Sequence, residues 1–149
     1  MKTIIDTSFG IIPITRVGKE WKVFLINQYS KIGNNTYWVF PKGHPEGVEK
    51  PLETAKRELQ EETGMQAEHI IENPQFDLRY NFKFRGNKIN KTVTFFLGLI
   101  SNMNYSLSPE EVKEAGWYSL DEAEQRLDYQ DTKNMFAQAR QYIQTLEKT

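Results

Sequence analysis

Three glutamates at helical spacing are the residues of this chain whose types and positions most suggest chemistry. Glu58, Glu61 and Glu62 follow Arg57 and precede Gly64. At about 100° of rotation per residue, the three carboxylates share one face of a helix, directly beside its apolar stripe. They are therefore expected at the edge of the core, where so much negative charge needs a counter-charge.

Two interpretations of this acidic face are open. The first is a solvated helix face with Lys50, Lys56 and Arg57 as partners, because charged runs usually face water. The second is a cation site, because like charges four residues apart repel and anions near a helix C-terminus oppose the helix dipole. No lysine is interleaved on that face, which favours a bound cation.

The donor atoms near the acidic face indicate which cation it would bind. The chain has no cysteine, and His44 is the one histidine close to the acidic residues in sequence. Oxygen-rich ligand sets of this type favour Mg²⁺ or Mn²⁺ over Zn²⁺. Metals held by carboxylates commonly act on phosphate groups. The sequence therefore predicts a Mg²⁺ or Mn²⁺ site that handles a phosphate compound.

Helix signals flank the acidic face on both sides. Pro51 suits a first helical turn and Gly64 suits a left-handed cap, so a helix is predicted over residues 51–63. The loop 43–48 and Glu49 lead into this helix, so carboxylates come from the loop as well as from the helix.

The remaining segments predict a mixed sheet covered by helices, because strands and helices alternate irregularly. Pro13 predicts an edge strand or a bulge in the first strand, and Gly18 predicts a tight turn after it. The turn residues 85–90 are expected to link two paired strands. The predicted strands are 8–16, 21–28, 37–40, 75–84, 91–100 and 116–119, with a loop over 30–36, a helical turn capped by Ser119 and a second full helix over 132–146.

Composition limits the class of protein. The length of 149 residues suits one domain, 1–149, with one core. A net charge of −1 supplies no basic field for a stable nucleic-acid complex. No apolar run approaches the length of a membrane span, and the N-terminus lacks a signal-peptide pattern. The absence of cysteine fits a reducing cytoplasm, so we expect a cytoplasmic protein that is a monomer or a small homo-oligomer.

The spacing of the acidic residues resembles the Nudix box. Gly43 is followed after five residues by Glu49, and after seven more by a run from Arg57 to Met65 that matches every specified position. The match covers residues 43–65, and the flanking strand pattern extends it over most of the chain. The resemblance implies a Nudix hydrolase with an α/β (α+β) fold, an α/β/α sandwich with a mixed β-sheet.

A finer resemblance is to the asymmetric diadenosine tetraphosphate hydrolases. It rests on the segment 38–44 (WVFPKGH), on Lys91 at the start of a strand, and on Glu111 in a later loop. Two positions depart from that group: the glycine after the histidine is shifted to Gly47, and Ala115 stands where several relatives have an aromatic residue thought to stack on adenine. These departures concern the second nucleotide contact rather than the metal chemistry.

The resemblance also implies catalytic and metal-binding roles. Glu58 is either a metal ligand or the general base. Glu111 is either a base or further ligand, or a plain member of an acidic loop. Arg57 is expected to orient a glutamate through a bidentate pair, with Glu49 in a structural role. The implied metal ligands are Glu58, Glu61, Glu62 and the carbonyl of Lys42.

Substrate contacts are implied for four residues. The cationic ones are expected on a phosphate chain, and Tyr80 is expected to stack on a base. Tyr37 and Phe82 are alternatives for stacking, although aromatic residues in strands more often belong to the core. The four substrate-binding candidates are Lys42, His44, Tyr80 and Lys91.

The implied activity is divalent-metal-dependent hydrolysis of a nucleoside diphosphate linked to another group. The favoured reaction converts diadenosine tetraphosphate to ATP and AMP. The alternatives are pyrophosphohydrolysis of damaged nucleotides such as 8-oxo-dGTP, removal of pyrophosphate from RNA 5′ ends, and a catalytically silent nucleotide-sensing domain. An intact box disfavours the silent domain. Substrate choice is expected to lie in loops such as 84–90 and 101–115.

Overall fold

A computed structural model describes residues 1–30 and 34–146 of the chain. The loop predicted over 30–36 includes residues 31–33, which lie outside the described part. The sheet strands are β1 (Thr3–Val17), β2 (Glu20–Tyr29), β3 (Thr36–Val39), β4 (Lys42–Gly43), β5 (His69–Phe84), β6 (Asn87–Leu99) and β7 (Val112–Ser119), and the helices are α1 (Pro51–Thr63), α2 (Leu120–Arg126) and α3 (Gln130–Thr145).

The strands form one mixed sheet, as predicted. Its main path runs β3-β2-β1-β6-β5, while β4 pairs with β1 and β7 pairs with β2. The long β1–β6 pairing is parallel, and the other pairings are antiparallel. The hairpin predicted around Gly18 is present between β1 and β2.

Helices cover both faces of the sheet, which confirms the predicted α/β/α arrangement. Successive residues of a strand face opposite sides of the sheet, so β1 contributes side chains to two cores. Ile11 packs in the cluster that contains Leu59 of α1. Ile12 and Ile14 pack in the cluster that contains Phe136 of α3. All five of these side chains are at most 1% exposed, so α1 is held against the centre of the sheet.

The helix α1 has the predicted bounds and the predicted caps. It runs from Pro51 to Thr63, and Gly64 follows in the left-handed conformation with φ of 73°. The Gly64 N–H donates to the Gln60 carbonyl at 2.8 Å, so the helix ends directly after the acidic residues. None of the helices among the described residues is long and apolar enough to cross a bilayer.

The prediction that Pro13 marks an edge strand or a bulge is wrong, because β1 lies in the middle of the sheet and its pairing with β6 keeps register through Pro13. Pro13 falls between Gly10, where the pairing of β1 with β4 ends, and Ile14, where its pairing with β2 begins. On its other side Pro13 is in register with Gly98 of β6. A residue without an N–H is tolerated there because β1 changes partners on that side.

The expected loop over 84–90 is also wrong, because β5 and β6 form one long hairpin. Their pairing continues to Phe84 and Asn87, which leaves a turn of two residues. Arg85 and Gly86 both have positive φ, 51° and 78°, as the tight hairpin turn that matches strand twist requires. The paired strands therefore place Tyr80 directly opposite Lys91.

Candidate active site

A cleft of about 740 Å³ opens where α1, the β5–β6 hairpin and the start of α3 meet. It gathers most of the residues that the sequence singled out. Arg57 and Glu61 are not among its lining residues, and neither is Glu49. The predicted residues that line the cleft are Lys42, His44, Glu58, Glu62, Tyr80, Lys91 and Glu111.

Two glutamates of α1 form a carboxyl pair at the bottom of the cleft. Glu62 is only 2% exposed, and it lies one turn from Glu58, to which it is hydrogen-bonded. Burial, together with the hydrogen bond and charge of Glu58, raises the pKa of Glu62 to about 10. A hydrogen bond between two carboxyl groups needs a shared proton, so the surroundings of Glu62 favour a bound positive charge.

The Glu58 carboxylate lies tightly against the backbone at Gly43. A Cβ atom added to Gly43 would overlap the carboxyl group of Glu58. The strand β4 brings this glycine into position, because Gly43 pairs with Phe9 of β1. The absence of a side chain at Gly43 is therefore what allows α1 to approach the loop that begins the box.

Arg57 organises the outer side of the same helix. Its Nε and Nη2 donate to Glu49 Oε2 and Oε1 at 2.7 and 3.0 Å, the predicted bidentate ion pair. Its Nη1 donates to Glu58 Oε2 and Glu61 Oε1, both at 3.0 Å. Its Nη2 also donates to the His44 carbonyl at 2.8 Å. One guanidinium thus ties the loop 43–49 to α1 and orients Glu58.

Glu49 stabilises the loop that precedes α1. Its Oε1 accepts from the Glu46 N–H at 2.8 Å and from Thr54 Oγ1 at 2.9 Å. Hydrogen bonds from Arg57, followed by that from the Glu46 backbone, lower the pKa of Glu49 to about 2. The carboxylate is therefore occupied within the loop, consistent with the structural role expected of it.

The described residues contain no three acidic or histidine side chains that converge as a ready metal cage. Glu61 is 52% exposed at its side chain and is held by Arg57, so of the three glutamates of α1 predicted as ligands, Glu58 and Glu62 line the cleft and Glu61 does not. The pair nevertheless fits a hard divalent cation in its chemistry. Glu62 Oε1 is buried without a hydrogen-bond partner, and carboxylate oxygens are the donors that Mg²⁺ prefers.

Glu111 reaches the cleft through the loop that follows β6. That loop rests on the end of α1, where the Ser106 N–H donates to the Thr63 carbonyl at 2.8 Å. The Glu111 carbonyl in turn accepts from the Tyr29 N–H at 3.0 Å. The exposed Glu111 carboxylate lies near enough to contribute to the raised pKa of Glu62. Contacts far apart in sequence thus bring a third acid beside the pair.

A cationic group, formed by Lys91 and His44 around Asp6 and Ser8, lines the same cleft as the carboxyl pair. Asp6 and Ser8 were not found by sequence reasoning. Lys91 Nζ donates to Asp6 Oδ2 at 3.0 Å and to Ser8 Oγ at 2.6 Å. His44 Nε2 lies 2.7 Å from Asp6 Oδ1. A polar Asp6 and Ser8 at period two on β1 were the available signal, but the partner strand could not be inferred from them.

Aromatic side chains form two walls of the cleft. On β5, the rings of Tyr80 and Phe82 stack with centroids 6.0 Å apart. Near the start of α3, the ring of Tyr129 lies 4.9 Å from that of Tyr37. All four residues line the cleft. Tyr129 was not predicted, because it lies in the segment before α3 and carries no motif of its own.

The chain is similar to known proteins over most of its length. Residues 5–139 match the NUDIX domain family. An asymmetrical bis(5′-nucleosyl)-tetraphosphatase of Rattus norvegicus is 33% identical over 72% of both chains. An RNA pyrophosphohydrolase of Bartonella clarridgeiae is 29% identical over 82% of this chain and 84% of its own.

A solved structure shares the fold. The crystal structure of a C. elegans Ap4A hydrolase binary complex superposes with a TM-score of 0.81 at 22% identity, covering 95% of this chain and 99% of the other. The fold and the box thus agree with what the sequence implied.

Proposed function

Because this chain belongs to the Nudix family, a family of hydrolases acting on phosphoanhydride bonds, we propose that it is an asymmetric dinucleoside tetraphosphate hydrolase. It would convert diadenosine tetraphosphate and water to ATP and AMP. The observation that carries the proposal is one cleft that combines an acidic pair, a cationic group and two aromatic walls. These three parts suit the reacting phosphate, the rest of the phosphate chain and the bases, respectively.

The acidic pair supports a divalent metal ion. Glu58 and Glu62 would hold it, with the Lys42 carbonyl and, after a side-chain rearrangement, Glu61 as further candidates. Mg²⁺ bound there would lower the pKa of water and offset charge on the phosphate oxygens. The chain's own contribution is the placement of Glu58, which Arg57 orients at 3.0 Å and which the bare backbone of Gly43 accommodates.

Cationic side chains support recognition of a long phosphate chain. Lys42, His44 and Lys91 line the same cleft as the acidic pair. A tetraphosphate carries more negative charge than a diphosphate, so several positive groups favour it. Tyr80 and Tyr129 offer faces on which an adenine can stack.

We assign the general base to Glu111. Its carboxylate is exposed at the cleft, whereas Glu58 is committed to Arg57 and to Glu62. An exposed carboxylate retains a site for a proton taken from water.

The proposed function is tested by a substrate panel with Mg²⁺, in ¹⁸O-labelled water, with products resolved by ion-exchange chromatography. The panel holds diadenosine tetraphosphate, ADP-ribose, 8-oxo-dGTP and a 5′-triphosphorylated RNA. We expect equal amounts of ATP and AMP from diadenosine tetraphosphate at the highest kcat/KM, and the product that carries ¹⁸O identifies the phosphorus attacked. Formation of two ADP, or faster turnover of the RNA, would overturn the assignment. EDTA should abolish turnover and Mg²⁺ should restore it.

A further inference from the structure

Asp6 has no part in the function proposed above, yet it lies at the centre of the cationic group. Its Oδ1 is 2.7 Å from His44 Nε2, and its Oδ2 accepts from Lys91 Nζ at 3.0 Å. The parallel register of β1 and β6 pairs Asp6 with Lys91. One carboxylate therefore bridges two side chains that are candidates for the phosphate chain.

The Lys91 head group is fixed from the side of the sheet. Lys91 is only 5% exposed, and its Nζ also donates to Ser8 Oγ at 2.6 Å. Asp6 is more open, with 31% of its side chain exposed, and lines the cleft together with Ser8 and His44. Burial raises the pKa of Asp6, but the hydrogen bond and the charge of Lys91 outweigh burial and hold that pKa below its usual value. Asp6 is therefore a carboxylate at neutral pH.

A carboxylate at this place has two opposing effects on an anionic ligand. Lys91 Nζ and His44 Nε2 lie 3.2 Å apart. The 2.7 Å contact with a carboxylate oxygen assigns a proton to Nε2, and two N–H groups this close need a shared acceptor. The Asp6 carboxylate is that shared acceptor. It also repels any phosphate that approaches the same two donors, since like charges at short range interact unfavourably.

On the basis of the proposed function, we propose that Asp6 is a positioning residue that holds the Lys91 ammonium and the His44 ring side by side as a clamp for one phosphate of the polyphosphate chain. The gain from two side chains already in place exceeds the repulsion between Asp6 and the phosphate. The clamp lies in the same cleft as the Glu58–Glu62 pair, so one substrate can contact both.

The test is a calorimetric titration with ATP, ADP and AMP in EDTA, where no turnover occurs. Asp6→Asn keeps the shape of the side chain and removes its charge. We expect it to weaken ATP binding roughly tenfold, as loss of a charge-assisted contact does, and to change AMP binding less than twofold. Asp77→Asn is the matched control, because Asp77 is bonded to Thr94 and Arg79 on the same sheet and does not line the cleft.

A second background separates positioning from any other effect. If Asp6 acts through Lys91 and His44, then Asp6→Asn in a Lys91→Met/His44→Ala background will strengthen ATP binding, because only the repulsion remains. The proposal is overturned if Asp6→Asn tightens ATP binding in the native background, if it weakens binding equally in the doubly substituted background, or if the native protein binds ATP no more tightly than AMP.

Separate control experiments distinguish a loss of folding from a loss of ATP binding. Circular dichroism follows the fold of each variant, and Asp6→Ala repeats the comparison with a smaller side chain. Failure of both Asp6 variants to fold would assign Asp6 to the stability of β1 and overturn the proposal. The product analysis above is independent of this result. If the native protein releases ATP and AMP but the Asp6→Asn variant binds ATP normally, only the clamp is overturned. If the products differ but the titrations are as expected, only the proposed reaction is overturned.

Discussion

Glu62 is a carboxyl group held among apolar and acidic neighbours, and its position explains why the box needs a positive charge. Its Oε1 has no hydrogen-bond partner, and its other interactions include the like charges of Glu58 and Glu111, opposed by Lys42. A buried carboxyl in such surroundings binds either a proton or a metal ion. The residue is thus a point where proton binding and metal binding compete.

This competition predicts how the stability of the metal-free protein depends on pH. The pKa of Glu62 is about 10 in the folded chain, against the usual value of 4.5 for a glutamate. A raised folded-state pKa contributes stability that is present below pH 4.5 and is lost as pH rises toward about 10. Glu62→Gln removes this loss. We therefore expect the Tm of Glu62→Gln in EDTA, measured by circular dichroism, to rise relative to that of the native protein as the pH increases from about 6 to about 9. A difference in Tm that does not change with pH would contradict the protonated pair.

Turnover is predicted to fall when either carboxylate of the pair is replaced. Glu58→Gln and Glu62→Gln keep the shape of the pair but remove the charge that would hold Mg²⁺, so each should lower kcat by roughly 100-fold or more. Steady-state kinetics with Mg²⁺ provide the measurement. Glu72→Gln is the control, because Glu72 is exposed on β5 outside the cleft. Full activity in either pair variant would remove that residue from the metal site.

At the scale of elements, the site depends on how closely α1 approaches the β4 loop. The guanidinium of Arg57 joins the loop and the helix through Glu49 and the His44 carbonyl. Gly43 supplies the space for Glu58. The box is therefore a contact between two adjacent elements, in which the arginine joins the loop to the helix and also contacts Glu58 of the carboxyl pair.

A methyl group at this contact should disturb catalysis more than stability. Gly43→Ala would place Cβ against the Glu58 carboxylate and displace it, so we expect kcat to fall roughly tenfold or more, as for a misplaced catalytic group. Gly47→Asn, in the same loop, is the control, because Gly47 has φ of 57° with open space around it and asparagine tolerates that conformation. Comparable losses in both variants would indicate a general effect on the loop.

At the scale of the whole molecule, the cleft combines parts that no single element contains. The carboxyl pair comes from α1. The cationic group comes from β1, β6 and the loop after β4, and the aromatic walls come from β5 and the segment before α3. The sheet has a hydrophobic core on each face. The core on one face includes α1, and the core on the other face includes α3. Binding of a two-base substrate would therefore depend on both helical layers.

The two aromatic walls predict a shared role in base binding. Tyr80→Ala and Tyr129→Ala should each raise KM for diadenosine tetraphosphate roughly tenfold, since stacking on one base contributes about 1–3 kcal/mol. Tyr80→Phe and Tyr129→Phe keep the ring and should restore most of the affinity. If the phenylalanine variants are as impaired as the alanine variants, the hydroxyl groups and not the ring faces carry the interaction. Inhibition by AMP measures the same contact without turnover.

Much of the fold and the acidic part of the site could be predicted from the sequence. Helix α1, its caps, the mixed sheet and the Glu58–Glu62 face depend on periodicity and on residues a few positions apart, which are visible in the chain itself. The β5–β6 turn and the place of Pro13 were mispredicted, because an Arg-Gly turn is not a usual signal and a proline's tolerance depends on where a strand changes partners.

What only the tertiary structure decided is which distant residues meet in the cleft. Asp6 and Lys91 are 85 positions apart and meet through the parallel pairing of β1 with β6, and Tyr129 reaches the cleft because α3 packs over β5. The separation of Glu61 from the cleft likewise follows from its contact with Arg57. The box predicted metal-type chemistry through local spacing, whereas strand register and helix packing, which depend on the whole core, decided which side chains surround the box.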